Sequence, residues 1–351
     1  MIFKKKSKGI VGLDLGSSTL KLVELRRKGD RYHLDKVGIA PLAPEAIVDG
    51  AIMDSSLVVD SISQLFNQLG VKNQSVGISI SGHAVIIKRI TLPIMSPEEL
   101  AESIQWEAEQ YIPFDINDVN LSYTPLGDEP DGQNMAVLLV VAKKDKVTDY
   151  TGSAIQAGKT VVLVDVDAFA LQNSFEMNYG LGPDANMALV NIGANIMNVN
   201  IIISGESVFW RDISFGGNQY TEAIMREMGL SWDQAEALKK GEKIEGFTHE
   251  NVIPICNTVT EELVQELRKT LDFFQQSLGQ GDINHLYLAG GASKTVNLVT
   301  LMQERLGIGV EIMNPLKEVS YDESKFDPEW LNDLAPHLGV SVGLAIREVG
   351  D

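Results

Sequence analysis

The apolar positions of this chain follow two periods, and the points where one gives way to the other mark its elements. Residues 10–15 form an unbroken apolar run holding one carboxylate, Asp14, which predicts a buried strand. Residues 20–25 alternate as a returning strand with Leu20, Leu22 and Glu24 on one side, and Gly16-Ser17-Ser18-Thr19 between them predicts a tight turn. Residues 188–203 repeat the layout, with Gly193 matching Gly16 and Asn191 standing where Asp14 stood. Further strands are expected at 32–39, 74–81, 85–92, 119–126, 135–142, 160–166, 207–213 and 285–288.

Helical spacing appears at 54–69, where Asp54 is the cap, Leu57, Val58, Ile62, Leu65 and Phe66 share a face, and Gly70 is the stop. Ser96-Pro97-Glu98-Glu99 is a capping box that opens a helix to about 111, ended by Ile112-Pro113. Other helices are expected at 167–179, at 218–228 closed by Gly229, and from Ser231 through Lys239. Three more follow: 258–278 on Leu263, Leu267, Leu271 and Phe274; 294–306 between a Ser293 cap and Gly307; and 336–348. In the last of these Gly339, Ser341, Gly343 and Ala345 allow close packing against a neighbour. Strands followed by helices imply an α/β fold around a central sheet. The strand–helix–strand–strand run at 84–147 reads as an insertion, and the two similar hairpins predict two related half-domains facing each other across a cleft.

The hairpin turns suggest the chemistry. A turn of glycine and small hydroxyl residues exposes backbone N–H groups in one concavity, which suits a phosphate. Asp14 is placed to hold Mg²⁺ through water, because Mg²⁺ keeps much of its hydration shell. A nucleotide's phosphates would sit between the turns at Gly16–Thr19 and at Gly193-Ala194-Asn195. Gly290-Gly291-Ala292, after a short strand, lets a flat ring or ribose approach the backbone. The plainer alternatives are an ordinary hairpin with an exposed Asp and a routine strand–helix connection. No P-loop, no G-x-G-x-x-G after a strand, no nucleophile elbow and no H-E-x-x-H competes.

Composition narrows the picture. A length of 351 residues implies two or more domains. The net charge of −19 disfavours nucleic acid and anionic membrane surfaces as partners. Cys256 is the single cysteine, so no internal disulfide is available and a reducing compartment is expected, with Cys256 itself a packing residue. The histidines at 33, 83, 249, 285 and 337 show no metal-ligand spacing. No apolar run approaches the ~20 residues needed to span a bilayer, and Lys4-Lys5-Lys6 is followed by no signal-peptide core, which predicts a cytoplasmic protein without a membrane span. Residues 1–8 read as a basic tail; the sharper alternative is a partner or lipid contact through Ile2 and Phe3.

These stretches resemble the actin, Hsp70 and sugar-kinase superfamily. Within it the chain is most similar to the PilM family of type IV pilus assembly, with FtsA a more distant likeness. The resemblance spans nearly the whole chain and is most specific in G-L-D-L-G-S-S-T-L-K-L-V-E-L at 12–25 and E-S-I-Q-W-E-A-E-Q-Y-I-P-F at 102–114. It implies an actin-like (ribonuclease H-like) two-domain ATP-binding α/β fold with an FtsA-type inserted subdomain. The implied partition is 1–83, 148–182 and 338–351 for subdomain 1A, 84–147 for 1C, 183–215 and 281–337 for 2A, and 216–280 for 2B. It implies ATP or ADP with Mg²⁺, held by phosphate loops at Gly16, Ser17, Ser18, Thr19 and Lys21 and at Gly193, Ala194 and Asn195. Gly217 belongs to the same set, and Gly290, Gly291 and Ala292 form the adenosine site.

Glu236 and Lys239, three apart on one helix face, would reach ribose and adenine; an exposed ion pair is the alternative. Asp167, with Asp165 close by, would orient water or hold Mg²⁺ near the γ-phosphate, unless it is a routine helix cap. By the same resemblance the protein is a cytoplasmic scaffold at the inner face of the inner membrane, serving pilus assembly and twitching motility. The N-terminal cytoplasmic peptide of PilN would enter a groove between the inserted unit and the first subdomain, lined by Trp106 and Tyr111 unless these pack on their own sheet. Other inner-membrane pilus components and the pilus motor ATPases are further implied partners. Alternatives are an FtsA-like filament former and a small-molecule kinase. Asn191 in place of Asp, and Asn195-Ile196-Met197 in place of a Thr-rich turn, predict ATP binding with slow or absent turnover.

Overall fold

The computed structural model describes residues 9–278 and 281–348; the basic tail at 1–8 lies outside them. The chain opens with β1 (Val11–Leu15), β2 (Thr19–Lys28) and β3 (Arg31–Pro41), a small ribbon of β4 (Ile47–Val48) and β5 (Ala51–Ile52), then α1 (Ser55–Leu69) and β6 (Ser75–Ile80). β7 (Val85–Pro93), α2 (Pro97–Glu109), β8 (Val119–Asp128) and β9 (Asn134–Lys143) follow, then α3 (Lys144–Gln156), β10 (Thr160–Val166) and α4 (Asp167–Tyr179). The second half runs β11 (Met187–Ile192), β12 (Met197–Ile203), β13 (Glu206–Ile213), α5 (Gly217–Met228), α6 (Trp232–Lys239) and α7 (Ile253–Leu278). It ends with β14 (His285–Ala289), α8 (Leu298–Leu306), β15 (Gly309–Ile312), α9 (Pro328–Leu334) and α10 (Gly339–Ala345).

The two main sheets are copies of one plan. The first has the order β10-β6-β1-β2-β3; the second, taken from its β15 edge, is β15-β14-β11-β12-β13. In each, the first hairpin strand pairs antiparallel with its partner and parallel with a strand from later in the chain. The register repeats as well. Asp14 faces Lys21 and Leu15 faces Leu20 in the first hairpin; Asn191 faces Asn198 and Ile192 faces Met197 in the second. β1 is buried along its whole length, as its unbroken apolar run requires.

Between the sheets, α10 lies over β1 and against α4 at a distance only small residues permit. A Cβ on Gly12 would overlap the Ser341 carbonyl, and one on Gly343 would overlap the carbonyl of Ala170 in α4. The small-residue stripe at 339–345 therefore joins the two halves closely. The inserted unit is the expected strand–helix–strand–strand, with sheet order β7-β9-β8 and its own core of Ile90, Leu100, Ile104, Val137 and Leu139. Its helix opens on the predicted capping box: Glu99 N–H donates to Ser96 Oγ at 3.2 Å and Ser96 N–H to Glu99 Oε2 at 2.8 Å. Likewise α1 starts on Asp54, whose Oδ1 accepts from Ser56 N–H at 3.0 Å, and stops at left-handed Gly70.

Several boundaries differ from the sequence expectation. The helix expected at 294–306 is two pieces, a 3-10 turn at Gly291–Lys294 and then α8, separated by Asn297 at φ 59. Ser293 does not cap it; its Oγ donates back to Gly290 O at 2.7 Å. The helix expected at 336–348 begins as a 3-10 turn, Ala335–Leu338, and is α-helical only over Gly339–Ala345. α7 starts at Ile253 because Pro254 is tolerated in a first turn. α3, α9, β15 and the β4–β5 ribbon carry too few apolar residues in period to be legible.

The second sheet's core includes Leu263 and Leu267 of α7, both fully buried. Truncating Leu267 to alanine is expected to cost about 2–5 kcal/mol in chemical denaturation, with no change in cleft chemistry.

Candidate functional site

The tips of the two hairpins face each other across a cavity of about 710 Å³. Its walls carry Asp14 and Gly16–Thr19 with Lys21 on one side, and Asn191, Gly193–Ile196 and Asn198 on the other. Gly217, Glu236 and Lys239 close a third side, and Gly290–Ala292 a fourth; Asp167 lies within the same lining. The structure thus brings together every residue the sequence assigned to a cleft, apart from Asp165. That carboxylate accepts from its neighbour Val166 N–H at 2.8 Å and lies 3.5 Å from Arg347 Nη1, outside the cavity. The expectation that Asp165 serves the γ-phosphate is corrected: strand alternation turns it to the other face of β10. Asp167 is not a cap. It is the first residue of α4, whose cap position is Val166 and has no side-chain cap bond.

In the first turn, the amides of Gly16, Ser17 and Ser18 have no backbone acceptor among the described residues; in the second the same holds for Ala194, Asn195 and Ile196, so both turns leave donors for a ligand. The second differs at Gly193, whose N–H closes back on Ile196 O at 3.0 Å. The start of α5 braces it, with Gly217 N–H donating to Gly193 O at 2.9 Å and Asn218 N–H to Ala194 O at 2.8 Å. The Gly217 amide is therefore engaged by the protein. A Cβ on Gly16 would lie 3.0 Å from the Thr19 carbonyl and 2.7 Å from Lys21 Nζ, so it would crowd the turn and displace the ammonium.

Asp14 and Lys21 form a largely buried ion pair at 3.1 Å. Burial pushes the Asp14 carboxyl above the usual carboxylate range; Lys21 opposes this and the Asp167 charge adds to it. Opposite, the equivalent positions form a neutral amide pair, Asn191 Nδ2 donating to Asn198 Oδ1 at 2.9 Å. Among the described residues no group of three His, Cys, Asp or Glu side chains could enclose a metal ion. The donor set instead fits a hydrated Mg²⁺ carried in on phosphates and met by one carboxylate.

Glu236 and Lys239 are joined with Thr221 in a tight cluster. Lys239 Nζ donates to Gly217 O at 3.0 Å, to Thr221 Oγ1 at 2.7 Å and to Glu236. Burial lowers the Lys239 pKa while Glu236 opposes it; for Glu236, burial raises the carboxyl but the Lys239 charge and its hydrogen bonds outweigh this and hold it low. The ammonium's donors are already engaged, and the second carboxylate oxygen of Glu236 lies 3.3 Å from Lys240 Nζ. Likewise Gly290 and Gly291 are required by the protein itself. A Cβ on Gly290 would lie 2.7 Å from Asn191 Oδ1, and one on Gly291 would lie 2.8 Å from the His337 ring.

The sequence missed five features. Asp212 on β13 crosses the cleft floor: its Oδ2 accepts from Gly82 N–H at 2.5 Å and its Oδ1 from Asn198 Nδ2 at 2.8 Å. Burial raises its pKa, partly offset by those two bonds. Beside it His83 Nε2 and Ser214 Oγ meet at 2.9 Å, so the halves are latched twice behind the cavity. Lys146 is buried under the floor against Gly50 O and Tyr150 Oη, its pKa lowered by desolvation. Ser79, in the cavity wall, has a buried hydroxyl with no partner among the described residues. His337 also lines the cavity. None of these stands in a motif; only folding makes them neighbours. On the inserted unit, Tyr111 packs against that unit's core beneath Lys88 Nζ at 5.0 Å, whereas Trp106 projects outward, 79% exposed.

Two lobes of one topology, closing on a cavity through glycine hairpins, define the actin-like α/β fold. The model of the family described as type IV pilus assembly protein PilM matches residues 12–349. The chain belongs to that family. It superimposes on a solved PilM–PilN type IV pilus biogenesis complex with a TM-score of 0.87 and 30% identity, covering 98% of this chain and 99% of that one. It is also similar in fold to MreB 5 of Spiroplasma citri bound to AMPPNP, with TM-score 0.51, 13% identity, and 96% and 95% of the two chains covered. The cell division protein FtsA of Staphylococcus epidermidis is 22% identical over 355 residues, 87% of this chain and 74% of that protein. Among the described residues no helix is long and apolar enough to cross a membrane.

Proposed function

We propose that this member of the type IV pilus assembly family is a cytoplasmic nucleotide-binding scaffold that presents a docking surface to the N-terminal peptide of PilN. The observation that carries this is the pair of hairpins in one register, the first open to phosphate with Asp14 at its base. ATP or ADP with Mg²⁺ would hold the two lobes together, phosphates on the amides of Gly16–Ser18 and nucleoside toward Gly290–Ala292. The relatives support both halves of this proposal, one solved with PilN and one with AMPPNP. Turnover is slow or absent. The second hairpin offers neutral Asn191 where a carboxylate would hold metal, and Asp212 is tied to Asn198 and to the Gly82 amide.

Mass spectrometry of the natively purified protein, with isothermal titration of Mg²⁺–ATP and Mg²⁺–ADP, tests the nucleotide. Failure to bind either nucleotide would remove the proposal. Immobilised PilN N-terminal peptide tests the partner. Trp106 is the exposed aromatic anchor on the inserted unit. Trp106→Ala is expected to weaken peptide capture by about tenfold or more, while changing folding stability by no more than about 0.5 kcal/mol. Unchanged capture would move the docking surface elsewhere.

A further inference from the structure

His337 stands in the 3-10 turn at the foot of α10, with its imidazole half-buried in the cavity wall. The ring occupies the space a side chain on Gly291 would need, 2.8 Å from Cε1 and 2.9 Å from Nδ1. Gly290 N–H donates to Pro336 O at 2.7 Å, so the glycine loop and the histidine's turn are one piece. Neither ring nitrogen has a hydrogen-bond partner among the described residues. Half-buried polar groups that the protein leaves without a partner are served by water or a ligand.

The charged groups facing the ring come from each element around it. Lys21 reaches it from β2, Lys294 from the turn after β14, Asp333 from α9, and Lys240 from the end of α6. Lys21, Lys294 and Lys240 are each also paired with a carboxylate, Asp14, Asp333 and Glu236, so it is the ring's two unpartnered nitrogens that suit this corner of the cavity to a ligand's hydrogen-bonding groups. The ring also joins two regions that the fold otherwise separates. Lys21 belongs to the open phosphate turn, and Gly291 belongs to the loop on the nucleoside side.

We propose that His337 hydrogen-bonds the bound nucleotide where its phosphate chain meets the ribose. This rests on the nucleotide assignment above and adds to it a contacting residue that no motif marks. It also predicts proton linkage. Without ligand the imidazole is neutral, held down to about 4 by burial and by Lys21 and Lys294. Burial continues to lower it in the complex, but the negative charge of a phosphate chain alongside the ring offsets the lysines' contribution and raises the value. A group whose pKa is higher in the complex than in the free protein binds a proton on association, so affinity rises as pH falls.

The test is titration of Mg²⁺–ADP into the full chain and its His337→Gln variant between about pH 6 and pH 8, with the imidazole resonances of the wild type followed by NMR. Glutamine keeps the volume beside Gly291, and thermal unfolding checks the fold. The wild type should bind about 3- to 10-fold more tightly at the acid end. The variant should be weaker there by a similar factor and show a flatter profile, and the His337 resonance should shift on adding ADP. Equal affinity and equal pH profile for the two proteins, or an unmoved His337 resonance in saturated wild type, overturns the inference while leaving nucleotide binding intact. Absence of ADP binding by the wild type overturns both.

Discussion

Asp14→Ala lowers the affinity for Mg²⁺–ADP by about a hundredfold, the scale expected when a buried charged partner is removed. In excess EDTA the same substitution changes ADP affinity little or raises it. The reason lies in the ion pair with Lys21 at 3.1 Å. Without metal, Asp14 neutralises Lys21 and adds a negative charge beside incoming phosphates; removing it frees the ammonium for them. With metal, Asp14 would be the carboxylate that meets the ion's water shell in the proposed complex, and its loss would remove that contact. Isothermal titration with and without Mg²⁺ reads both signs in one protein. Equal losses in both conditions would reduce Asp14 to a structural partner of Lys21 and end its metal assignment. Folding is monitored in parallel, because an unpaired Lys21 is only 14% exposed in its side chain.

Gly343→Ala destabilises the protein by about 3 kcal/mol or more, the upper range for overpacking. Its new methyl would overlap the backbone carbonyl of Ala170, and a carbonyl in a helix cannot swing aside as a side-chain end can. Gly152→Ala, in the middle of α3 with no atom within 4 Å of its ideal Cβ, is the control. That change is expected to stabilise by about 0.5–1 kcal/mol through helix propensity alone. Urea denaturation of the two variants should therefore give opposite signs for one chemical substitution. Because α10 and α4 connect the lobes, Gly343→Ala should also weaken nucleotide binding; a variant that kept wild-type stability would show that this helix contact is not close in solution.

How much of this was legible follows from what each element needed. The hairpins at 10–25 and 188–203 could be read because burial on both faces requires an unbroken apolar run and the turn requires glycine. The capping box at Ser96 and Glu99 could be read because it is local hydrogen-bond chemistry. The break at Asn297 could not: its left-handed backbone is imposed where the chain turns from the glycine loop into α8. Helix α3 escaped notice because its buried face includes Lys146 and Ser153, polar residues; Ser153 bonds back to the Asp149 carbonyl of its own helix, whereas the partner of Lys146, Gly50, is supplied by the fold. Gly290 and Gly291 were assigned to ligand approach on sequence grounds; the structure gives each a protein neighbour in the space of its missing side chain.

The sequence by itself determined the two hairpins, their shared layout, and the asymmetry between Asp14 and Asn191, since each is a matter of residue type at a fixed offset in one strand. Only the tertiary structure decided that Asp212 and Gly82 meet at 2.5 Å across the floor, that Asp165 is buried beside Arg347 outside the cavity lining, and that His337 fills the side-chain space of Gly291. The physical reason is sequence separation. A hairpin is held by neighbours along the chain, whereas these contacts join residues 130 positions apart in one case and rest on the packing of helices against two sheets.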